Sequence, residues 1–491
     1  MGKRALRAIL AVVLSVSVLI SIIPAAFARE PEVTPVVVIS GMASMPLTLE
    51  GEKVWAPSAN RIFTLVKKIL VPTVELLISM DYGKFFNSTV KALSEFINPL
   101  ECDDDGNSVY NVEHLEFPLS ADNYREYYED EKLTNEMAIV HSYADALGGK
   151  NVYFFNYDWR MSPLDHADDL KAFIDNVKAE TGSSKVCLVA CSMGGTVLLS
   201  YLEKYTADSV KNCVFASTAF QGTSVVGELF QKQVLFDADG LIERINQLGK
   251  NGVAQVIFPI VTGLLDKLGI MDFAVDLANG LVLDQLDAVY KNLIEVTFGH
   301  MPGIWALVAD EYYAQAKSTL LDPVRNKRLI EKIDGYHDSV QVNAERIIAG
   351  AESLGCEVYI ISQYGRQGLP VSPVSTSGNN DFLIDTVYSS GGAVAAGYGK
   401  TLPSGYKQAN TACGHDHLSA DRVVDASTCM RPERTWFIKD MAHIDFPYGS
   451  DASALLIWLS TGRGLDVFSS EKFPQFMKFN ANSGKLTAVK G

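Results

Sequence analysis

The sequence predicts an α/β fold: a mostly parallel sheet with helices on both faces and a helical insertion. Three observations predict it. Short apolar runs of buried-strand length recur at 35–40, 186–189, 213–216 and 356–361, each too short for a helix and rich in β-branched residues. Helical patterns separate them, such as Leu170, Phe173, Ile174, Val177 and then Val197, Leu198, Tyr201, Leu202, Tyr205, so strands and helices alternate in the way that builds a parallel sheet. Third, small residues crowd the junction in KVCLVACSMGGTVLLSYLEKY (185–205), at Ala190, Gly194 and Gly195, with Ser192 at the apex of a strand, tight turn and helix.

Composition bounds the rest. The 491 residues are 48% hydrophobic and 10% aromatic with a formal charge of −16, which favours a sizeable core and repels nucleic acid and anionic surfaces. Residues 1–28 start basic (Lys3, Arg4, Arg7), continue with an apolar run from Ala8 to Ile23, and end in small residues at Ala26 and Ala28. That is the plan of a secretory signal peptide cut after Ala28, its run short of the roughly 20 residues that span a bilayer. The remaining chain carries 39 basic against 58 acidic side chains, a charge of −19. Secretion is therefore expected. Of seven cysteines, Cys187, Cys191, Cys213 and Cys356 fall in or beside apolar strand-like runs, whereas Cys413 and Cys429 flank a loop and are the expected pair for one disulfide.

In chain order, the strand at 35–40 breaks at Gly41; the resemblance of 185–205 to the nucleophile turn of α/β-hydrolases implies the Met42 N–H of this loop as one oxyanion donor and the Met193 N–H, directly after Ser192, as the other. Helical periodicity follows at Ile62, Leu65, Ile69 and again at Val90, Leu93, Phe96. Asp103-Asp104-Asp105-Gly106 lacks the closing glutamate of a calcium loop and reads as a solvated turn. A strand opening at Asn151 runs into Tyr157-Asp158-Trp159-Arg160, and a helix then leads to the Ser192 strand. The middle third has no clean strand; apolar helical patterns pass through Ile257, Ile260, Leu264, Leu268, Leu277, Leu281 and Leu286.

The serine junction, A-C-S-M-G, is similar to the G-x-S-x-G nucleophile elbow of the α/β-hydrolase fold with alanine for the first glycine. Val36-Val37-Val38 leading to Gly41, Val54-Trp55-Ala56-Pro57, Y-D-W-R with Ser162-Pro163, Ser192-Met193-Gly194-Gly195 and Met301-Pro302-Gly303-Ile304-Trp305 together resemble successive blocks of the lecithin:cholesterol acyltransferase family, which includes lipases, phospholipases and acyltransferases. The likeness covers most of 33–460 and is weakest in the middle third. With the signal peptide read above at 1–28, it implies a hydrolase core at 29–219 and 351–465 and a helical cap or lid at 220–350, leaving a tail or edge strand at 466–491.

The resemblance also implies where the acid lies. Asn380-Asp381-Phe382-Leu383-Ile384 resembles the N-D-G-L-V block of bacterial lipases and points to Asp381, with phenylalanine at the usual glycine, while Asp385-Thr386-Val387 imitates the D-T-V ending of the acyltransferases. Asp381 is favoured over Asp385. Thr435-Trp436-Phe437-Ile438 reads as the last core strand and His443 follows it within a turn, whereas no strand precedes His415 or His417. The latter two belong to C-G-H-D-H (413–417), a metal-type pattern with no evident second ligand cluster, so no metal or other cofactor is assigned. The expected catalytic set is Ser192, Asp381 and His443, in the chain order of this fold. The expected activity is cleavage of carboxylic esters of lipids through an acyl-enzyme, with an alcohol as alternative acyl acceptor. The expected partners are the lipid or ester substrate and a transient lipid surface, with no nucleic acid.

Overall fold

The computed structural model describes residues 33–55, 59–79, 82–129, 135–235 and 290–491. The expected signal peptide and the helical patterns from Ile257 to Leu286 lie outside these residues.

Eight strands form one sheet: β1 (Val36–Ile39), β2 (Val152–Phe155), β3 (Val186–Cys191), β4 (Val210–Ala216), β5 (Glu357–Tyr364), β6 (Thr435–Lys439), β7 (Phe476–Asn480) and β8 (Lys485–Ala488), in the spatial order β8-β7-β6-β5-β4-β3-β1-β2. The first seven run parallel, and β8 alone turns back antiparallel on β7. The stretch expected as a tail or edge strand thus supplies the last hairpin of the sheet.

Period-two alternation decides which face each side chain joins. In β1, Val37 and Ile39 pack into one core with Leu188 and Ala190 of β3, and Val36 and Val38 pack into the other with Cys187 and Val189. Because both faces are covered, these strands read as unbroken apolar runs, and each wholly buried valine, leucine or isoleucine contributes about 1.5–3 kcal/mol. After the helices α1 (Ala59–Ser79) and α2 (Tyr82–Ile97) come α3 (Asn135–Leu147), α4 (Pro163–Thr181), α5 (Gly194–Tyr205), α6 (Ser224–Phe230), α7 (Asp310–Leu320), α8 (Lys327–Ser339), α9 (Ala344–Ser353) and α10 (Asp451–Thr461). α4, α5 and α9 send Ile174, Leu198 and Ile347 into the first core, whereas α3 and α10 send Ile139 and Leu455 into the second. Leu329, Ile333 and Tyr336 of α8 also join the first core. Of the described helices of 310–353, α9 packs on β5, while α7 lies against α6 and α8 against the segments 302–305 and 341–343.

Two local features set the frame for the site. α4 begins with Ser162 capping the Leu164 N–H, has Pro163 in its first turn, and ends at Gly182 in the left-handed region, the pattern expected of a well-terminated helix. The Tyr157–Arg160 loop just before it is an internal brace. Arg160 is fully buried, and Asp158 receives its Nε at 3.0 Å and its Nη2 at 2.6 Å, while Nη1 donates to the Leu100 carbonyl at 3.1 Å. Such a bidentate pair is costly to break because either partner left alone is an uncompensated buried charge.

The cysteine expectation needs correction. All seven thiols are free; Cys413 is exposed, and Cys429 is buried with Ala393, Val424 and Ala426. Burial pushes the Cys429 thiol up to about 11, so it acts as a small apolar packing group and not as a bridge partner.

Candidate active site

The sheet reverses its winding at β1, which lies between β2 and β3. Ligands of open α/β sheets bind beyond the carboxyl ends of the strands at such a point. The loop after β1 carries Gly41 and Met42, and the turn after β3 carries Ser192.

The β3–α5 turn is sharp because Ser192 sits at φ +52°, a conformation that costs a non-glycine residue about 1–3 kcal/mol and needs the surrounding structure to hold it. Its N–H donates to the Ala216 carbonyl at 3.2 Å, and its carbonyl accepts from Gly195 at 3.1 Å and Ala219 at 3.2 Å. A Cβ at Gly194 would fall 2.6 Å from the Ser40 carbonyl oxygen, and one at Gly195 would fall 2.6 Å from the Thr218 Cβ. These two positions demand glycine. Ala190, by contrast, is an ordinary buried strand residue in register with Ile39 and Phe215, so alanine is compatible with the turn.

Ser192 Oγ lies 2.8 Å from His443 Nε2, and His443 Nδ1 lies 2.7 Å from Asp381 Oδ2. A carboxylate beside Nδ1 fixes the proton there and leaves Nε2 to accept the serine hydroxyl. His443 also donates its backbone N–H to the Asp381 carbonyl at 2.9 Å, so the two loops are joined twice. The other carboxylate oxygen of Asp381 accepts the N–H groups of Leu383 at 3.0 Å and Ile384 at 2.8 Å. Both bonds require the chain to fold back tightly, which it does through Phe382 at φ +94°. That is a glycine-favouring conformation, in line with the glycine of the block that 380–384 resembles; the Arg366 guanidinium stacks over the Phe382 ring at 4.9 Å.

Asp385 points elsewhere. It accepts the Ser224 N–H and hydroxyl, each at 2.8 Å, and the Thr223 hydroxyl at 3.3 Å, and thereby holds the start of α6. Burial raises its carboxyl above the usual range, opposed by these donors.

Neither the Met42 nor the Met193 N–H has a hydrogen-bond acceptor among the described residues. Met193 is the residue before α5 and is wholly buried, while Met42 is partly exposed. One residue absent from the sequence expectation stands behind this region. Glu136, in the first turn of α3, is buried and receives the Gly41 N–H at 3.3 Å, and a Cβ on Gly41 would fall 2.8 Å from the Ser192 Cβ and 3.1 Å from Glu136 Oε1. Burial raises the Glu136 carboxyl, against the Gly41 N–H donor and the nearby His443. Cys191, adjoining Ser192, is raised well above its ordinary value, chiefly by burial and next by Glu136, so its thiol stays protonated.

A cleft of about 300 Å³ ends on Ser192 and His443. Its walls come from α6 (Val226, Leu229, Phe230), from Phe298 and Ile304, and from the acid loop (Leu383, Ile384), and among the described residues no Asp, Glu, Lys or Arg side chain lines it. Gly303 positions Ile304: its N–H donates to the Arg160 carbonyl at 2.9 Å, and a Cβ there would fall 2.0 Å from the Trp159 carbonyl oxygen. The Y-D-W-R brace thus sets one wall of the cleft. His415 and His417 are not in this site, and lie with Cys413 and Glu433 in a separate cluster.

A family model described as "alpha/beta hydrolase fold" matches residues 118–253. With the eight-stranded sheet and its helices, the chain contains an α/β-hydrolase domain, a fold that supports hydrolase activity in general. No curated protein sequence matches the chain. Among solved structures, a chain of "The crystal structure of Tle4-Tli4 complex" is similar over 88% of this chain and 98% of that chain, at 12% identity and a TM-score of 0.33.

Proposed function

We propose, from the α/β-hydrolase fold as premise, that this chain is a serine hydrolase of lipid carboxylic esters, with Ser192 as nucleophile, His443 as general base and Asp381 as the acid that orients it. The observation that carries the reading is the apolar cleft ending on the Ser192 hydroxyl, 2.8 Å from a histidine nitrogen. In the reaction, His443 Nε2 takes the proton as Ser192 Oγ attacks the ester carbonyl, and Asp381 stabilises the imidazolium. The N–H groups of Met42 and Met193 receive the negative charge on the tetrahedral oxygen. The leaving alcohol departs with the proton from His443, and a water activated by the same nitrogen releases the acid from the acyl-enzyme.

The lipid reading is supported by the aliphatic and aromatic side chains that dominate the described cleft wall, where Thr223 is the one polar residue besides Ser192 and His443, since such a cleft selects an acyl chain by apolar area. The resemblance to the lecithin:cholesterol acyltransferase family, strongest at Y-D-W-R, supports the same substrate class and leaves an alcohol as a second acyl acceptor. Export through the segment 1–28 follows from its basic, apolar and small-residue order, and in bulk water hydrolysis outruns transfer.

The test pairs a fluorophosphonate probe with a series of p-nitrophenyl esters. Expected are covalent labelling of Ser192 and a kcat/KM that rises with acyl length. An unlabelled Ser192 in folded protein would overturn the enzyme assignment; a labelled enzyme with a flat or falling length profile would replace the lipid reading by a short-chain esterase.

A further inference from the structure

The cluster at the far end of β6 has the chemistry of a metal centre. Cys413, His415, His417 and Glu433 each offer a ligand atom, and these four atoms lie within 4.8 Å of one another. In a tetrahedral zinc site with bonds of about 2.0–2.3 Å, ligand atoms stand about 3.3–3.8 Å apart. His415 Nδ1 and Glu433 Oε1 are already at 3.1 Å, and Cys413, His415 and Glu433 are exposed and able to turn inward.

The decisive group is His417. It is wholly buried, yet its Nε2 has no hydrogen-bond partner. Its Nδ1 is 2.7 Å from Gln475 Oε1, and the Gln475 amide is fixed in that orientation because its Nε2 donates to the carbonyls of Pro432 at 2.6 Å and Thr435 at 3.1 Å. The glutamine oxygen can only accept, so the proton sits on Nδ1 and the Nε2 lone pair is left bare. A buried acceptor without a donor costs about 1–3 kcal/mol. An imidazole with one nitrogen hydrogen-bonded behind it and the other unpartnered is the arrangement metal-bound histidines adopt. The loop that presents it is organised in advance: Gln408 accepts the His417 N–H at 2.6 Å and donates to the His415 carbonyl at 2.9 Å.

We propose that Cys413, His415, His417 and Glu433 form a structural zinc site. Two neutral imidazoles, a thiolate and a carboxylate neutralise a divalent cation, and the nitrogen–sulfur–oxygen set selects zinc over the hard cations calcium and magnesium. On binding, the Cys413 thiol loses its proton to solvent and no other bond breaks. Four protein ligands leave no open position for water, which makes the site structural. Its effect is to tie the 408–418 loop to the 432–434 turn from which β6 starts.

The experiment uses the full chain without an affinity tag, stripped with chelator and titrated with zinc alone and with cobalt(II) alone. Expected are one zinc per chain with proton release, and with cobalt a thiolate charge-transfer band and intense tetrahedral visible bands. Cys413→Ser, at an exposed position, removes the charge-transfer band, and it and Glu433→Gln each weaken zinc binding by about tenfold or more. Folded protein that takes up no stoichiometric zinc, gives a cobalt spectrum without the thiolate band, or binds zinc equally well after both substitutions would overturn the proposal.

Discussion

His443 and His417 belong to opposite ends of β6, and the contrast between them separates two kinds of site. Each has its Nδ1 fixed by an acceptor, Asp381 at 2.7 Å for one and Gln475 at 2.7 Å for the other. The difference lies at Nε2. That of His443 faces a hydroxyl whose proton it can take, and that of His417 faces none. A carboxylate behind the ring suits the proton transfer proposed for His443, whereas an amide oxygen suits the lone-pair donation proposed for His417. Environment, not residue type, assigns the task.

The comparison breaks first at the serine. Ser192→Ala is expected to lower ester turnover by about 10⁴-fold or more with an unchanged melting curve; a p-nitrophenyl ester assay that finds the rate retained removes His443 from proton transfer. The second cut is behind the ring. Asp381→Asn should lower kcat by about 10³–10⁴-fold by favouring the wrong tautomer, and Asp385→Asn should lower the melting temperature while kcat stays within a few-fold; a dead Asp385→Asn with an active Asp381→Asn would reverse the two roles.

One further variant and one chelation experiment sharpen what each end of β6 does. Val226→Trp, which fills the cleft, is expected to reduce kcat/KM for long-chain esters by about 10–100-fold and to spare acetyl esters, as a chain-length series would read. Chelation is expected to lower the melting temperature by about 2–4 °C, restored by zinc, with little change in initial ester hydrolysis; a parallel collapse of activity would mean that the two ends are not separable.

The smallest effect concerns Glu136. Burial raises its carboxyl, so its folded pKa lies above the unfolded value of about 4.3. The stability it contributes is full below that unfolded value and is lost as pH rises through the folded one. Glu136→Gln keeps an acceptor for the Gly41 N–H, and its melting temperature relative to the unsubstituted protein should improve steadily as pH rises from acid toward neutral; a pH-independent difference would place the carboxyl in an unperturbed state.

Much of this was legible in the sequence because it is local. The elbow at Ser192 needs small neighbours within a few positions, and the strands need unbroken apolar runs, so both leave a mark in the letters. The choice between Asp381 and Asp385 is not local: the partner that occupies Asp385 is Ser224, 161 positions away. Glu136 looks like any acid in the first turn of a helix, and only the tertiary fold puts it behind Gly41. Glu433 likewise carries no spacing signal toward C-G-H-D-H, since a three-residue turn at 432–434 presents it. The expected disulfide failed for the same reason, as nothing near Cys429 in sequence tells that it faces inward.

The pairing of β7 with β6 bears on the order in which the molecule comes together. Ser192, Asp381 and His443 all precede residues 476–480 in the chain, yet β6 is an edge strand until that segment docks and supplies Gln475, whose carbonyl receives the Phe437 N–H at 2.7 Å. An uncovered edge invites pairing with other chains. The His417 loop, held through Gln475, therefore gains its footing only once this late segment is in place.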